Sequence, residues 1–129
     1  MKKDQVSVLV VDDSEHIRAL FAMSLKKAGI QQIHFATNGA EGVEQFQNVQ
    51  PSIVFMDNMM PKMSGMEALK KIRTLKPDAI VVMISAVSSI EVVQEAKQLG
   101  ASYYLVKPYS PATVIDIMRK LLNVEDLQQ

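Results

Sequence analysis

Five short apolar runs alternate along the chain with five longer segments whose apolar residues recur every three or four positions. This alternation predicts repeated βαβ units, in which each strand is followed by a helix that crosses over to the next parallel strand. Several runs are apolar at consecutive positions, which is typical of strands covered on both faces. Right-handed crossovers then predict an α/β fold, an open doubly wound sheet between two layers of helices. The predicted strands are residues 6–11, 32–36, 52–56, 79–85 and 102–107.

Polar pairs with the spacing of a capping box predict the starts of three helices. In such a box the side chain of the first residue accepts a hydrogen bond from a backbone N–H three residues later, where a carboxylate bonds back. The pairs are Ser64 with Glu67, Ser88 with Glu91 and, in a weaker version, Asn38 with Glu41. Ser110 followed by Pro111 predicts a fourth start, because proline at the first helical position loses no hydrogen bond.

The length of the chain fits one domain. A chain of 129 residues can bury roughly two-thirds of the surface that its unfolded form exposes. We expect an ordered core over residues 5–122 and a tail at 123–129. The first helix is predicted over residues 14–28, and the residues expected to face the sheet are Ile17, Leu20, Phe21 and Leu25.

Composition excludes several classes of function. Fourteen basic and fourteen acidic residues give a formal net charge of zero, so nothing indicates binding to nucleic acid or to a membrane surface. The chain has no cysteine, which excludes a disulfide framework, a thiolate zinc site and a cysteine nucleophile. Its first residues resemble neither a signal peptide nor a membrane span, so a cytoplasmic protein is the expectation.

Charged residues follow three of the predicted strands at their carboxyl ends. Asp12 and Asp13 follow the first run, Asp57 follows the third, and Lys107 closes the fifth. In open α/β sheets, ligands bind beyond the carboxyl ends of the strands, where the winding direction reverses. Clustered carboxylates repel one another and suit a hard cation, so the aspartates predict a Mg²⁺ site. An adjacent phosphoryl group would complete such a site.

The charge count favours phosphoryl transfer to one of the aspartates. Three carboxylates, Mg²⁺ and Lys107 sum to zero, and a phosphoryl ester brings the total to about minus one. The hydroxyl of Ser85, at the end of the fourth predicted strand, can donate to the added charge. Aspartate is a known nucleophile in phosphoryl transfer, but chemistry alone leaves the attacking residue open. Asp57 is favoured because it stands singly, which leaves the adjacent pair to hold the metal.

Four motifs in this order and spacing resemble the receiver domain of bacterial response regulators. They are VDDSEHIR (11–18), DNMMPKMSGMEAL (57–69), ISA (84–86) and YYLVKP (103–108), and the resemblance covers residues 5–122. It implies a flavodoxin-like, three-layer αβα fold of five strands in the order 2-1-3-4-5 with five helices. It also implies a phosphorylated signalling protein of a two-component system.

The resemblance implies a role for each residue of the cluster. Asp57 would be the phosphoacceptor, and Mg²⁺ would be held by Asp13, Asp57 and the backbone carbonyl of Met59, with Asp12 acting mainly through metal-bound water. Lys107 would pair with the phosphoryl oxygens. The switch residues would be Ser85, which moves toward the phosphoryl group, and Tyr104, which swings inward behind it. The family also holds the bond between Lys107 and Pro108 cis, and such bonds carry only a small penalty.

The implied partners are proteins. A sensor histidine kinase or a histidine phosphotransfer domain would supply the phosphoryl group, and a downstream protein would bind the face formed by the fourth helix, fifth strand and fifth helix. With no further domain after residue 122, the chain resembles stand-alone regulators of the chemotaxis type and phosphorelay intermediates. Catalysis would be confined to its own phosphorylation and dephosphorylation, so the chain is not expected to be an enzyme acting on external substrates.

Three other functions remain open at the level of sequence. An aspartate-nucleophile phosphatase normally carries a second aspartate two residues after the nucleophile, where this chain has Met59. A receiver fold that binds partners without phosphorylation would not need Asp57 and Lys107. A flavodoxin-like cofactor binder would carry a phosphate-binding loop rich in glycine, serine and threonine after the first strand, and none is present.

Overall fold

A parallel sheet of five strands lies between two layers of helices in the computed structural model, which describes residues 1–60 and 62–128. The strands are β1 (Ser7–Val11), β2 (Gln32–Ala36), β3 (Ile53–Asp57), β4 (Val81–Ser85) and β5 (Tyr103–Val106). The helices are α1 (Glu15–Ala28), α2 (Gly39–Val49), α3 (Gly65–Leu75), α4 (Ile90–Gln98) and α5 (Pro111–Leu122). A short 3₁₀ helix, Lys3–Gln5, precedes β1.

The strand order is β2-β1-β3-β4-β5, and each neighbouring pair is parallel. The predicted fold class, a doubly wound α/β sheet of flavodoxin-like order, is confirmed. The winding direction reverses between the neighbours β1 and β3, which are not consecutive in the chain. This reversal opens a crevice at the carboxyl ends of β1 and β3.

Alternate residues of each strand enter two separate cores, because successive side chains of a strand point to opposite faces. Val10 of β1 and its register partner Phe55 of β3 belong to the core that is shared with α1 and α5. Val11 and its partner Met56 belong to the core that is shared with α2, α3 and α4. Both faces of the central strands are therefore covered, which explains their continuous apolar runs.

Three of the four predicted helix starts are confirmed. The side chains of Ser64, Asn38 and Ser110 each accept a backbone N–H three residues later, and Pro111 opens α5. The prediction for Ser88 was wrong. The backbone of Ser89 is extended (φ −64°, ψ 146°), so α4 begins at Ile90 and Ser88 lies one residue outside the cap position.

The start of β4 and the orientation of Leu20 also differ from the predictions. β4 begins at Val81 rather than at residue 79, because the N–H of Ala79 bonds the carbonyl of Lys76 in a turn. Leu20 was predicted to face inward, but 45% of its surface is exposed. The buried face of α1 is formed by Phe21, Leu25 and Ala28. Leu20 lies one residue, about 100° of helical rotation, away from that face.

The segment after α5 packs against the domain, although the sequence predicted a tail from residue 123. Val124 and Leu127 are buried in the core shared with α1 and α5. Arg119 donates a hydrogen bond to the carbonyl of Leu127, and the N–H of Gln128 donates to the carbonyl of Ala28. This packing could not be predicted from the sequence, because two apolar residues among polar ones show neither helical nor strand periodicity.

Over residues 1–60 and 62–128, no helix is long and apolar enough to cross a membrane.

A matched pair of leucine substitutions tests both corrections. Leu127→Ala should lower the free energy of unfolding by about 2 kcal/mol or more, because Leu127 is only 7% exposed and its removal leaves a cavity. Leu20→Ala should change it by less than about 1 kcal/mol, because much of Leu20 already contacts solvent. Urea unfolding curves of the two variants measure the difference, and equal losses would contradict the packing described for residues 123–128.

Candidate functional site

The carboxyl ends of four strands bring the predicted site residues to one edge of the sheet. Asp57 is the last residue of β3 and Ser85 the last of β4, while Asp12 and Lys107 come directly after β1 and β5. Pairing of Val11 with Met56 sets the end of β1 beside the end of β3. The crevice at the winding reversal therefore receives Asp12 and Asp57 from neighbouring strands.

Asp57 and Lys107 form a close ion pair. The Nζ atom of Lys107 donates to Oδ1 of Asp57 at 3.0 Å. Asp57 is only 4% exposed, whereas about a third of the Lys107 side chain is exposed. The carboxylate is thus the buried partner of the pair, and the lysine is the more exposed one.

Asp12, Asp13 and Asp57 form a cluster of three carboxylates. One carboxylate oxygen of each lies within 4.8 Å of the others. Asp12 and Asp57 are buried, whereas Asp13 is exposed. Oxygen ligands from two buried groups and one exposed group suit a hard divalent cation that keeps some of its water. The donor set therefore fits Mg²⁺ in chemistry and in spacing.

Burial sets the protonation behaviour of the cluster. Desolvation raises the pKa of Asp57 above its ordinary value, against the opposing effect of the Lys107 hydrogen bond, and the charge of Asp12 raises it further. Desolvation also raises the pKa of Asp12, although the N–H of Ser14 donates to its Oδ1 at 2.8 Å. Both carboxylates thus carry an uncompensated cost when they are ionised, and a cation would relieve this cost.

The loop after β1 is held by local hydrogen bonds. The hydroxyl of Ser14 caps α1 by accepting the N–H of Ile17 at 3.2 Å. Arg18, one turn into α1, donates to the backbone carbonyl of Asp12 at 2.7 Å. The sequence drew no attention to Arg18, although its position one turn after the cap allows it to reach back to the aspartate loop. These contacts fix the backbone of Asp12 beside Asp57.

Gly65 allows α3 to begin directly against the backbone of Asp57. A Cβ atom at this position would lie 2.3 Å from the carbonyl oxygen of Asp57, which is closer than atoms can approach. The N–H of Gly65 donates to the carbonyl of Asn58 at 3.0 Å. The loop between β3 and α3 therefore returns closely to the strand end, and Gly65 allows the close approach of α3 to the backbone of Asp57.

Ser85 and Tyr104 are joined through one residue of the loop after β4. The N–H of Val87 donates to Oγ of the buried Ser85 at 3.0 Å. The hydroxyl of Tyr104 donates to the backbone carbonyl of Val87 at 2.6 Å. Both polar groups of the Val87 backbone are therefore bonded by the two residues that the family resemblance names as switch residues. A displacement of Ser85 would therefore move the Val87 backbone and alter its hydrogen bond with Tyr104.

Tyr109 is a residue of this region that sequence reasoning missed. Burial and the negative charges of Asp12 and Asp57 raise the pKa of its phenol to about 12. Its ring packs edge-on against Phe21, with ring centroids 6.2 Å apart. The signal that could have identified it is an aromatic residue two positions after Lys107.

Two predicted features of the site lie in the loops around the cluster. Met59 is exposed in the loop after β3, and its carbonyl remains a predicted metal ligand. The peptide bond between Lys107 and Pro108 is cis.

Comparison with known proteins places the chain among receiver domains. Residues 8–119 match the family of response regulator receiver domains. The chain is 38% identical over 114 residues to the chemotaxis protein CheY of Thermotoga maritima, covering 88% of this chain and 95% of that protein. It is 30% identical over 118 residues to the sporulation initiation phosphotransferase F of Bacillus subtilis, covering 92% of this chain and 94% of that protein.

Solved structures agree with the sequence relatives. A chain of the CheX-CheY-BeF3-Mg+2 complex of Borrelia burgdorferi superposes with a TM-score of 0.86 at 31% identity, covering 90% of this chain and 88% of that one. The fold, the matched residues and the relatives of similar length all point the same way. The chain belongs to the response regulator receiver domain family.

Proposed function

We propose that the chain is a phosphoacceptor switch of a two-component system. A histidine kinase or a histidine phosphotransfer domain transfers a phosphoryl group to Asp57, and the phosphorylated form binds a downstream protein. The observation that carries the proposal is the buried carboxylate of Asp57, which lies 3.0 Å from Lys107 and within the three-aspartate cluster. Because histidine kinases draw their phosphoryl group from ATP, this function belongs in the cytoplasm.

Mg²⁺ is the cofactor that the cluster fits. Asp12, Asp13 and Asp57 would hold it with their carboxylates, and the carbonyl of Met59 would add a further oxygen. When bound, the cation offsets negative charge on the phosphoryl oxygens and on the carboxylates.

The residues of the chain do the rest of the transfer. A carboxylate oxygen of Asp57 attacks phosphorus, the new O–P bond forms, and the N–P bond of the donor phosphohistidine breaks, so that the electron pair leaves with the imidazole. Lys107 supplies a positive charge to the phosphoryl oxygens. Water later cleaves the acyl phosphate, so the chain turns over only its own phosphoryl group.

The switch follows from the charge that remains. With Mg²⁺ bound, the three carboxylates and Lys107 sum to zero, so a phosphoryl ester leaves about one net negative charge. The hydroxyl of Ser85, at the end of β4, can donate to that charge. Turning that hydroxyl toward the phosphoryl group removes an acceptor from the N–H of Val87. The Val87 carbonyl, which Tyr104 binds, then shifts with its loop. Tyr104 lies on β5, beside α4, so the output is read on the α4–β5–α5 face.

An apolar groove beside Lys107 is suited to the phosphodonor. The groove, of about 470 Å³, lies between α1 and the start of α5. Phe21, Tyr109 and Val114 line its apolar part, and Met23, which is 68% exposed, lies at its α1 side. A donor protein must bring its phosphohistidine to Asp57, and the groove shares Lys107 with that site. We therefore propose that the donor packs against α1.

The first prediction concerns the acceptor. Asp57→Asn should reduce Mg²⁺-dependent labelling by acetyl phosphate to background, because an amide oxygen is not a nucleophile for phosphorus. Asp116→Asn, at an exposed aspartate of α5, should label as well as the parent chain. Mass spectrometry of the intact protein measures the label, and full labelling of Asp57→Asn would refute the assignment.

The second prediction separates donor docking from chemistry. Met23→Glu should slow phosphoryl transfer from the cognate kinase by about tenfold, because it places a charge at the apolar α1 side of the groove. The same variant should react with acetyl phosphate at the parent rate, since this small donor needs no docking surface. Rapid-quench assays with both donors measure the two rates. Parallel losses with both donors would indicate damage to the site itself and reject docking on α1.

The third prediction concerns pH and metal. The pKa of Asp12 is raised by folding, so its contribution to stability is present below its ordinary value of 3.8 and is lost as pH rises through the folded value. In the presence of a metal chelator, Asp12→Asn should therefore have a higher thermal unfolding midpoint than the parent at pH 7. The difference between the two midpoints should shrink toward pH 4. The amide oxygen can still accept the Ser14 N–H.

Added Mg²⁺ should reverse this order. The cation binds the folded parent and raises its midpoint with concentration, whereas Asp12→Asn should gain much less. Asp116→Asn should follow the parent in both conditions and serves as the control. A parent midpoint that does not respond to millimolar Mg²⁺ would contradict the metal site.

A further inference from the structure

A second groove lies between α2 and α3. It has a volume of about 580 Å³, and none of its lining residues belongs to the acidic cluster. Its apolar part is formed by Val43 of α2 and Leu75 of α3, and its rim carries Lys70 and Lys71. Gln47 and Thr74 add neutral polar groups. Glu67, one turn before the two lysines on α3, adds one carboxylate, and its Oε1 accepts the hydroxyl of Ser64. The groove is therefore a shallow apolar depression with a basic edge.

The basic edge stands out against the charge balance of the chain. The formal net charge of the protein is zero, yet α3 and its cap Lys76 contain four basic residues and one acidic residue, Glu67. Arg73 is the exception among the basic groups, because it is committed to the carbonyls of Pro77, Ala79 and Gly100. Its guanidinium ties α3 to two loops and is not available to a partner.

The two lysines at the rim, unlike Arg73, are available to a partner. Lys70 and Lys71 are exposed, and within residues 1–60 and 62–128 no carboxylate forms an ion pair with either. Exposed lysines alone often do no more than solvate a helix. Here they adjoin Leu75, a large apolar side chain that is 48% exposed at the end of the same groove.

We propose that the groove between α2 and α3 binds an acidic amphipathic helix of a partner protein. Apolar side chains on one face of that helix, spaced by three and four residues, pack on Val43 and Leu75. Carboxylates on its flanks pair with Lys70 and Lys71. Charge complementarity identifies the occupant, because an apolar helix with basic flanks would be repelled by the same rim.

Binding at this groove does not depend on phosphorylation. Leu75 lies ten residues after Gly65, which places it about 15 Å along α3 from the end that contacts Asp57. The hydrogen bonds that link Ser85 to Tyr104 run through the loop after β4 and not through α3. The groove thus offers a constitutive anchor, distinct from the switch, that could hold the chain near a signalling partner in both states.

A designed peptide tests the proposal. The probe is a fluorescein-labelled peptide of about 15 residues, long enough to form a helix, with leucine on one face and glutamate elsewhere. Fluorescence anisotropy should show saturable binding that weakens with salt. Lys70→Glu combined with Lys71→Glu should weaken binding about tenfold or more. Leu75→Ser should weaken it several-fold without changing the charge.

A matched charge reversal outside the groove provides the control. Lys97→Glu combined with Lys120→Glu alters the net charge equally but lies on α4 and α5, so the peptide should bind as to the parent within about twofold. Equal losses for the two double variants, or equal binding of a peptide with serine in place of leucine, would show only nonspecific attraction and overturn the proposal. A change in affinity on adding beryllofluoride and Mg²⁺ would overturn its independence from phosphorylation.

Discussion

The burial of the Asp57 carboxylate beside Lys107 is the constraint on which the rest of the structure depends. Burial leaves this carboxylate poorly solvated and raises its pKa, and the charge of Asp12 opposes its ionisation further. One lysine at 3.0 Å offsets only part of that cost. The site is therefore built to gain from added positive charge and from added donors, which is the property that a cation-dependent phosphoacceptor requires. The two neighbouring strands and the close start of α3 at Gly65 hold the carboxylate in this unfavourable place.

The two-residue period of the strands assigns the site residues to different faces of the sheet. Asp57 follows Phe55 by two residues and shares its face with α1 and α5, whereas Ser85 follows Met83 and shares the face with α2, α3 and α4. Tyr104, the register partner of Met83, packs on that second face. The proposed phosphoacceptor and its proposed readout thus belong to opposite faces that meet at the ends of β3 and β4.

Much of this arrangement could be predicted because it rests on local rules. Apolar runs predict strands, cap residues predict most helix starts, and charges at strand ends must meet at one edge of a parallel sheet. The exposure of Leu20, the start of α4 and the packing of Leu127 could not be read in this way. They depend on the rotation of α1 about its axis, on the conformation of the loop before α4 and on where the last residues pack. Tertiary contacts set all three. The hydrogen bonds of the Val87 backbone could not be predicted either, because an apolar side chain does not indicate which partners its backbone groups bond.

The separation of faces has a consequence for how the proposed switch could be used. The groove beside Lys107 involves α1 and the first turn of α5, while the exposed side chain of Tyr103 lies on β5, between α4 and α5. A donor that packs against α1 and a partner that reads β5 would therefore contact different sides of the molecule. The two partners would not clash, so the donor need not leave before a downstream protein binds the output face. The order of the two events would then be set by the equilibrium of the loop that carries Val87, because that loop joins Ser85 to Tyr104.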